Sequence, residues 1–239
     1  MRAAEFAFEK LGLDADERQR EVLDSKAKRG ILNCTRPWGK STVAAAKAVH
    51  RAWTEAGCLV LVASPTDRQS AEFVNKAEEF VRRLGVKPRG DGSNSLSILL
   101  PNGSRIVGLP GSEATVRGFS AVSLLLIDEA SRVPDALYKA LRPMLAVKNG
   151  DLWLMSTPYG QRGFFWEEWE HAGDRWHRVS VPATACRRIP AEFLEEERDV
   201  LGSSWFKQEY LCGFTETGSG WFSRELVTQS LGDDAPLEL

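Results

Sequence analysis

The residues Cys34-Thr35-Arg36-Pro37-Trp38-Gly39-Lys40-Ser41-Thr42 carry the pattern in this chain with the most chemical content. A glycine followed by lysine and a hydroxyl side chain suits a helix start that receives phosphate. Gly39 lets the backbone come close, and the N–H groups around Gly39 to Ser41 can face a triphosphate. Lys40 would reach the β- and γ-phosphates, and Ser41 would hold Mg²⁺. The pattern G-x-x-x-x-G-K-[ST] is met everywhere except at its first glycine, where Cys34 stands. A second pattern is Leu124-Leu125-Leu126-Ile127-Asp128-Glu129, an apolar run ending in two acids. It places carboxylates at the end of a buried strand, where ligands bind in open α/β sheets. Asp128 would hold Mg²⁺ through water, and Glu129 would polarise an attacking water as general base.

Weaker features fit the same frame. Gln19 could read an adenine edge with its amide, or be an ordinary helical glutamine. Ser156-Thr157-Pro158 follows a later strand, and its hydroxyls could sense the γ-phosphate and pass the signal on; a plain strand-to-turn boundary is the alternative. Arg36 sits inside the phosphate loop and could touch the γ-phosphate of its own subunit. Arg117, in a glycine-bearing loop before the acidic strand, could serve a neighbouring subunit as an arginine finger, contact DNA, or be a surface arginine. The segment Ser64 to Gln69 could line the nucleotide pocket or a nucleic-acid side.

Periodicity gives the elements that must hold these groups. Gly30–Cys34, Cys58–Ala63, Ser123–Ile127 and Asp151–Ser156 read as continuous apolar strands. Helices are expected over two short stretches within 2–28, with Asp14 or Asp16 capping the second, and over 40–56, 67–84 and 134–146. In the 40–56 helix Trp53 falls in line with Ala44, Ala45, Ala48 and Val49. Residues 96–100 and 105–109 read as a hairpin with an Asn102-Gly103 turn. Apolar strands alternating with amphipathic helices imply a mainly parallel sheet covered on both faces, an α/β three-layer sandwich. Helices at 190–201 and 203–211 would form a small lid-like appendage, with Phe193, Leu194, Trp205 and Phe206 as its packing surface. The expected division is a core over 1–180, a lid over 181–215 and a linker or tail over 216–239.

Composition narrows the class further. The 239 residues are 43% hydrophobic and 27% charged, enough apolar surface for a real core. With 31 basic and 33 acidic residues the formal charge is −2, which disfavours a passive, strongly basic nucleic-acid binder. The pairs and triplets Lys26/Lys28/Arg29, Arg82/Arg83 and Arg187/Arg188 read first as solvated faces. Cys34, Cys58, Cys186 and Cys212 form no C-x-x-C pair and read as reduced buried thiols. His50, His171 and His177 lack metal-site spacing. A transmembrane helix is not expected.

Taken together, Gln19, Cys34–Thr42, Leu124–Ala130 and Ser156–Pro158 resemble the ATPase domain of the large terminase subunit, the DNA-packaging motor of tailed double-stranded DNA bacteriophages and herpesviruses. The resemblance spans about residues 10–215. It implies a RecA-like P-loop NTPase core of the additional-strand (ASCE) type with a C-terminal lid, using ATP and Mg²⁺. It implies an ATP-hydrolysing motor that moves double-stranded DNA into a procapsid. Its partners would be DNA, the portal protein, the small terminase subunit and further copies in a ring, five-membered by analogy, built from chains able to exist as monomers. No membrane is involved, and the expected location is the host cytoplasm, transiently at the portal vertex. In that family, arginines corresponding to Arg36 and to Arg117 have both been given finger roles. Large terminases usually continue into an RNase H-like nuclease domain; only 26 residues follow Gly213 here, so no nuclease activity is expected of this chain. The rival readings are a helicase-like DNA-dependent ATPase and a degenerate P-loop scaffold that hydrolyses nothing.

Overall fold

The computed structural model describes residues 1–109, 111, 118–186 and 188–216. Arg117 and Arg187 lie outside them, as does everything after Glu216. Among the described residues, seven strands build one sheet: β1 (Arg29–Cys34), β2 (Leu59–Ala63), β3 (Ser97–Leu99), β4 (Arg105–Leu109), β5 (Leu124–Asp128), β6 (Asp151–Ser156) and β7 (His177–Val181). Their spatial order is β3-β4-β2-β5-β6-β1-β7. Of the pairs these strands form, only β3–β4 is antiparallel. That pair is the hairpin expected from Asn102-Gly103, and Gly103 takes the positive φ (82°) that its turn requires.

The strands alternate between two apolar cores, because successive side chains leave a strand on opposite faces. Leu32, Val60, Val62, Leu124, Leu126, Trp153 and Met155 join a core with α1 (Ala3–Leu11), α2 (Glu17–Asp24), α3 (Lys40–Thr54) and α4 (Asp67–Arg83). Ile31, Leu61, Leu125, Ile127, Leu152 and Leu154 face the other core, closed by α5 (Asp135–Leu141) and α6 (Gly163–Glu170). Strands buried on both faces read as unbroken apolar runs, which is why β1, β2, β5 and β6 stand out in the sequence.

Several elements depart from expectation. The helix expected over 134–146 is α-helical only to Leu141 and continues as a 3-10 turn over Arg142–Leu145. Pro143 has no N–H to give the α-helical ladder, so the tighter turn replaces it. β7 and α6 have no counterpart in the sequence reading. β7 is an edge strand whose outward positions are polar or half-buried, so its apolar signal is only Val179 and Val181. Trp53 falls off the buried stripe of α3 and is exposed. All four cysteines are buried and free. Among the described residues no helix is long and apolar enough to cross a membrane.

The last helix, α7 (Ala191–Glu209), is broken at Gly202, whose φ of 73° and ψ of 163° are not helical. It is therefore two helical pieces, as the sequence pattern indicates. Leu194 and Phe206 are buried with Ala183 in a small cluster of their own. Phe193 and Trp205, expected to pack, are instead exposed, at 41% and 53%. The Gly202 break changes the phase of the second piece, so its apolar positions do not continue one stripe.

One close approach constrains β1, the strand that leads into the loop before α3. Gly30 in β1 pairs with Trp153 in β6, and a Cβ at Gly30 would lie 2.3 Å from the indole ring. Gly30→Ala is expected to destabilise the protein by about 1–3 kcal/mol through overpacking. Urea denaturation reads this directly, and an unchanged midpoint would contradict the contact.

Candidate active site

The phosphate loop leaves β1 at Cys34 and enters α3 at Lys40. Arg36–Trp38 form a single 3-10 turn, and Gly39 sits in the left-handed region at φ 92°, where only glycine is unstrained. Among the described residues no side chain caps α3, so its first-turn N–H groups stay available to an anion. Lys40 is nearly buried; its Nζ donates to Cys34 O at 2.7 Å and Thr35 O at 3.3 Å. The ammonium is thereby held within the loop that would surround a phosphate. Cys34, at the place of the first glycine, points its thiol into the core and donates to Val179 O. Burial pushes its titration far above the ordinary thiol range, so it is an inert packing residue.

Asp128 ends β5, and Ser41 Oγ donates to its Oδ2 at 2.8 Å. Glu129 follows with φ 50°, an uncommon left-handed conformation for a glutamate. This sharp turn lets the Glu129 N–H donate back to Asp128 Oδ1 at 3.1 Å. Burial, reinforced by the neighbouring Glu129 charge, pushes Asp128 up to about 6, against the Ser41 hydrogen bond and the Lys40 charge. A hydroxyl and a buried carboxylate are a hard-oxygen donor set that fits Mg²⁺. Among the described residues no group of three or more His, Cys, Asp or Glu converges on a metal position. Mg²⁺ here would therefore complete its shell with phosphate oxygens and water, as that ion commonly does.

A cavity of about 260 Å³ joins these groups, with Arg36, Gly39, Lys40, Ser41, Thr42, Asp128 and Glu129 on its walls. Its remaining wall is α4, through Gln69, Glu72, Phe73 and Lys76. Of these, Gln69 belongs to the Ser64–Gln69 segment marked by the sequence, whereas Glu72 and Lys76 lie beyond it. Their signal was there, since 69, 72 and 76 share one face of a helix.

Ser156 ends β6, between the phosphate-loop strand and the acidic strand. Its Oγ lies 2.7 Å from Ser131 Oγ and donates to Glu129 Oε2 at 3.4 Å. Thr157 Oγ1 reaches instead toward Glu209 Oε2 in α7, at 3.5 Å. Arg36 is exposed and has no hydrogen-bond or ion-pair partner among the described residues. Arg117 lies outside those residues, so its placement beside this cavity is not part of the structure described.

A second cavity of about 630 Å³ opens on the other side of the loop, lined by Gln19, Trp38, Cys186 and Arg188 among others. Gln19 is buried rather than exposed. Its amide closes a capping box with Asp16 and donates to Trp38 O at 2.8 Å. One N–H and one lone pair of the amide remain for a base edge. Trp38 itself is buried in the core, its Nε1 donating to Asp16 Oδ2 at 3.1 Å. Of the loop residues expected to touch nucleotide, Trp38 thus turns its ring into the core, and its N–H donates to Thr35 O at 3.2 Å. Arg188 adds a second donor to Trp38 O, at 2.9 Å. Asp16 and Arg188 were not assigned to the site from sequence, because the contacts span 22 and 150 residues.

The family model described as terminase large subunit, T4likevirus-type, N-terminal, matches residues 31–229. The chain belongs to this family. The large terminase subunits of Thermus phage G20c and Thermus virus P23-45 are each 28% identical over 261 residues, covering 93% of this chain and 53% of theirs. The chain therefore spans about half the length of the curated relatives it matches. The large terminase ATPase domain of Thermus phage P74-26 has the same fold, with a TM-score of 0.80 at 22% identity over 90% of this chain and 100% of that domain. The HK97 bacteriophage large terminase superposes with a TM-score of 0.73 at 18% identity, over 94% of this chain and 57% of its own. The large terminase of a further thermophilic bacteriophage, solved in complex with ATP-gamma-S, gives 0.69 at 15% identity, over 84% of this chain and 53% of its own. This terminase chain accordingly carries the RecA-like fold, including the strand β6 inserted between β1 and β5 that marks the additional-strand type.

The buried acid gives a signed pH expectation. Because Asp128 is raised in the folded state, its contribution to stability is greatest below its unfolded value and is lost as pH rises through about 6. In Mg²⁺-free buffer, Asp128→Asn should be more stable than wild type at neutral pH, by at most about 3 kcal/mol. The difference should close as pH falls toward about 4, the ordinary carboxylate range. Paired thermal melts across that range check it; a gap that widens on acidification would refute the burial argument.

Proposed function

We propose that this chain is the ATP-hydrolysing motor domain of a large terminase, powering movement of double-stranded DNA into a procapsid. The observation that carries this reading is the meeting of Lys40 and Ser41 with Asp128 and Glu129, linked at 2.8 Å by Ser41 and Asp128 and lined by one cavity. In this reading the open N-terminus of α3 and Lys40 bind the phosphates. Bound Mg²⁺ would neutralise charge developing between the β- and γ-phosphates. Ser41 and Asp128 would hold that ion. Glu129 orients and deprotonates the attacking water, while Ser156, bonded to the same carboxylate, keeps its direction. Gln19, with Arg188 beside it, borders the cavity that suits the adenine. Arg36, exposed and unpartnered among the described residues, can reach phosphate in its own subunit, whereas Arg117 is the candidate for service to a neighbour.

Family membership supports the wider setting: double-stranded DNA, the portal protein and the small terminase subunit as partners, copies assembled as a ring, and action in the host cytoplasm at the portal vertex. The division into a core, a lid from about residue 181 and a linker from 216 belongs to the same proposal.

Two substitutions separate binding from chemistry. Lys40→Ala should lose ATP binding, because phosphate charge goes uncompensated. Glu129→Gln should bind ATP yet turn it over about 10²–10⁴-fold more slowly. Fluorescent-nucleotide titration and phosphate release measure the two, and equal affinity in Lys40→Ala and wild type would refute the phosphate-loop assignment. Turnover per subunit, measured over a wide range of protein concentration with Glu129→Ala as blank, addresses the finger. A rise with concentration is expected if Arg117 acts on a neighbour; flat turnover favours Arg36 acting within its own subunit.

A further inference from the structure

Glu209, in the last turn of α7, touches three separate loops of the catalytic site. Its carboxylate accepts from Thr157 Oγ1 at 3.5 Å on one oxygen and from Arg132 Nη2 at 3.4 Å on the other. Its main-chain carbonyl accepts from Thr35 Oγ1 at 3.3 Å. Thr35 begins the phosphate loop, Arg132 lies three residues after Glu129, and Thr157 is the neighbour of Ser156. Flanking contacts seat the same turn: Tyr210 O accepts from Ala183 N–H at 2.6 Å, and Cys212 O accepts from Asn33 Nδ2 at 2.8 Å in a buried position. The Glu209 side chain is itself 18% exposed. Arg132 also stacks on Tyr159, 4.2 Å from the ring centroid, which orients its guanidinium.

We propose that Glu209 is a positioning residue that ties the end of α7 to the catalytic loops and makes the helix respond to the phosphate site. The proposal rests on the ATPase reading above. The two halves of the contact have different strengths. Both are long, at 3.5 and 3.4 Å, but only the Arg132 contact pairs opposite charges, which keeps its attraction over distance. Ser156 is bonded to Glu129, so a shift of that carboxylate toward phosphate and water drags the adjoining Thr157. Glu209 then keeps Arg132 and changes its hold on Thr157. A small displacement in the site thereby becomes a movement of the α7 turn. The break at Gly202 lets the second helical piece move without the first.

Hydrogen exchange of residues 191–209, with and without ATP-gamma-S and Mg²⁺, tests this in wild type, Glu209→Ala, Glu209→Gln and Thr157→Val. Wild type should show a nucleotide-dependent change in protection. Glu209→Ala should still bind ATP-gamma-S within about two-fold, lose that change, and lose kcat about ten-fold with little effect on KM. Glu209→Gln keeps an acceptor for Thr157 and should recover part of the response. Thr157→Val leaves the Arg132 contact in place and should reproduce the loss of response even if Glu209→Ala proves unstable. ATP-gamma-S binding with an unchanged exchange response in a folded Glu209→Ala or in Thr157→Val would overturn the proposal alone. Failure of wild type to bind ATP-gamma-S would overturn the ATPase reading, and this proposal with it.

Discussion

Three adjacent parallel strands, β5, β6 and β1, impose the constraint on which the site depends. Their ladders place Ile127 and Asp128 beside Leu154 and Met155, and Asn33 beside Ser156. Strands in such a ladder lie about 4.8 Å apart, so the ends of β5 and β1 are separated by roughly 10 Å. That gap is wide enough for a phosphate and short enough for Ser41 to touch Asp128. β6 fills it from below and delivers Ser156 between the two loops. A slip of one residue in either ladder would turn Asp128 or Ser156 to the wrong face of the sheet.

The two cores hold this register against the cost of burying acids. Asp128 is a buried acid, and its position is tolerable because Ser41 and the Glu129 N–H donate to it and the Lys40 charge lies near. The left-handed Glu129 is strained in the same sense. Its backbone N–H bond to Asp128, and Ser156 on its carboxylate, keep it there. That backbone conformation and those two bonds together fix the direction of the Glu129 carboxylate.

On the opposite flank the phosphate loop is clamped through Trp38. Gln19 and Arg188 both donate to its carbonyl, and Asp16 accepts from its indole. These donors come from α2, well before the loop, and from the segment that leads into α7. The loop is thus shaped by residues from the beginning and the end of the described chain. Its outer side faces the larger cavity, while Glu209 holds its first residue. The chain from Arg188 to the end of α7 therefore meets this loop at two places, Trp38 and Thr35.

What the sequence determined by itself was the set of local rules. Continuous apolar runs announced β1, β2, β5 and β6, because a strand covered on both faces has no polar alternation. The placement of Gly39-Lys40-Ser41 at a helix start and of Asp128-Glu129 at a strand end was legible, because each follows an apolar run. The edge strand β7 and the short α6 were not legible, since half-buried elements carry weak periodicity. The 3-10 turn after Leu141 follows from Pro143, which apolar spacing over 134–146 does not register. Tertiary structure alone decided who meets whom: Ser156 on Glu129, Asp16 on Trp38, Glu209 on Thr35, Thr157 and Arg132. It also decided that Gln19 is buried while Phe193 and Trp205 are exposed. The physical reason is the same in each case. A local pattern fixes which face of an element is apolar, but contacts between groups many residues apart depend on strand order and on the angle at which each helix returns to the sheet.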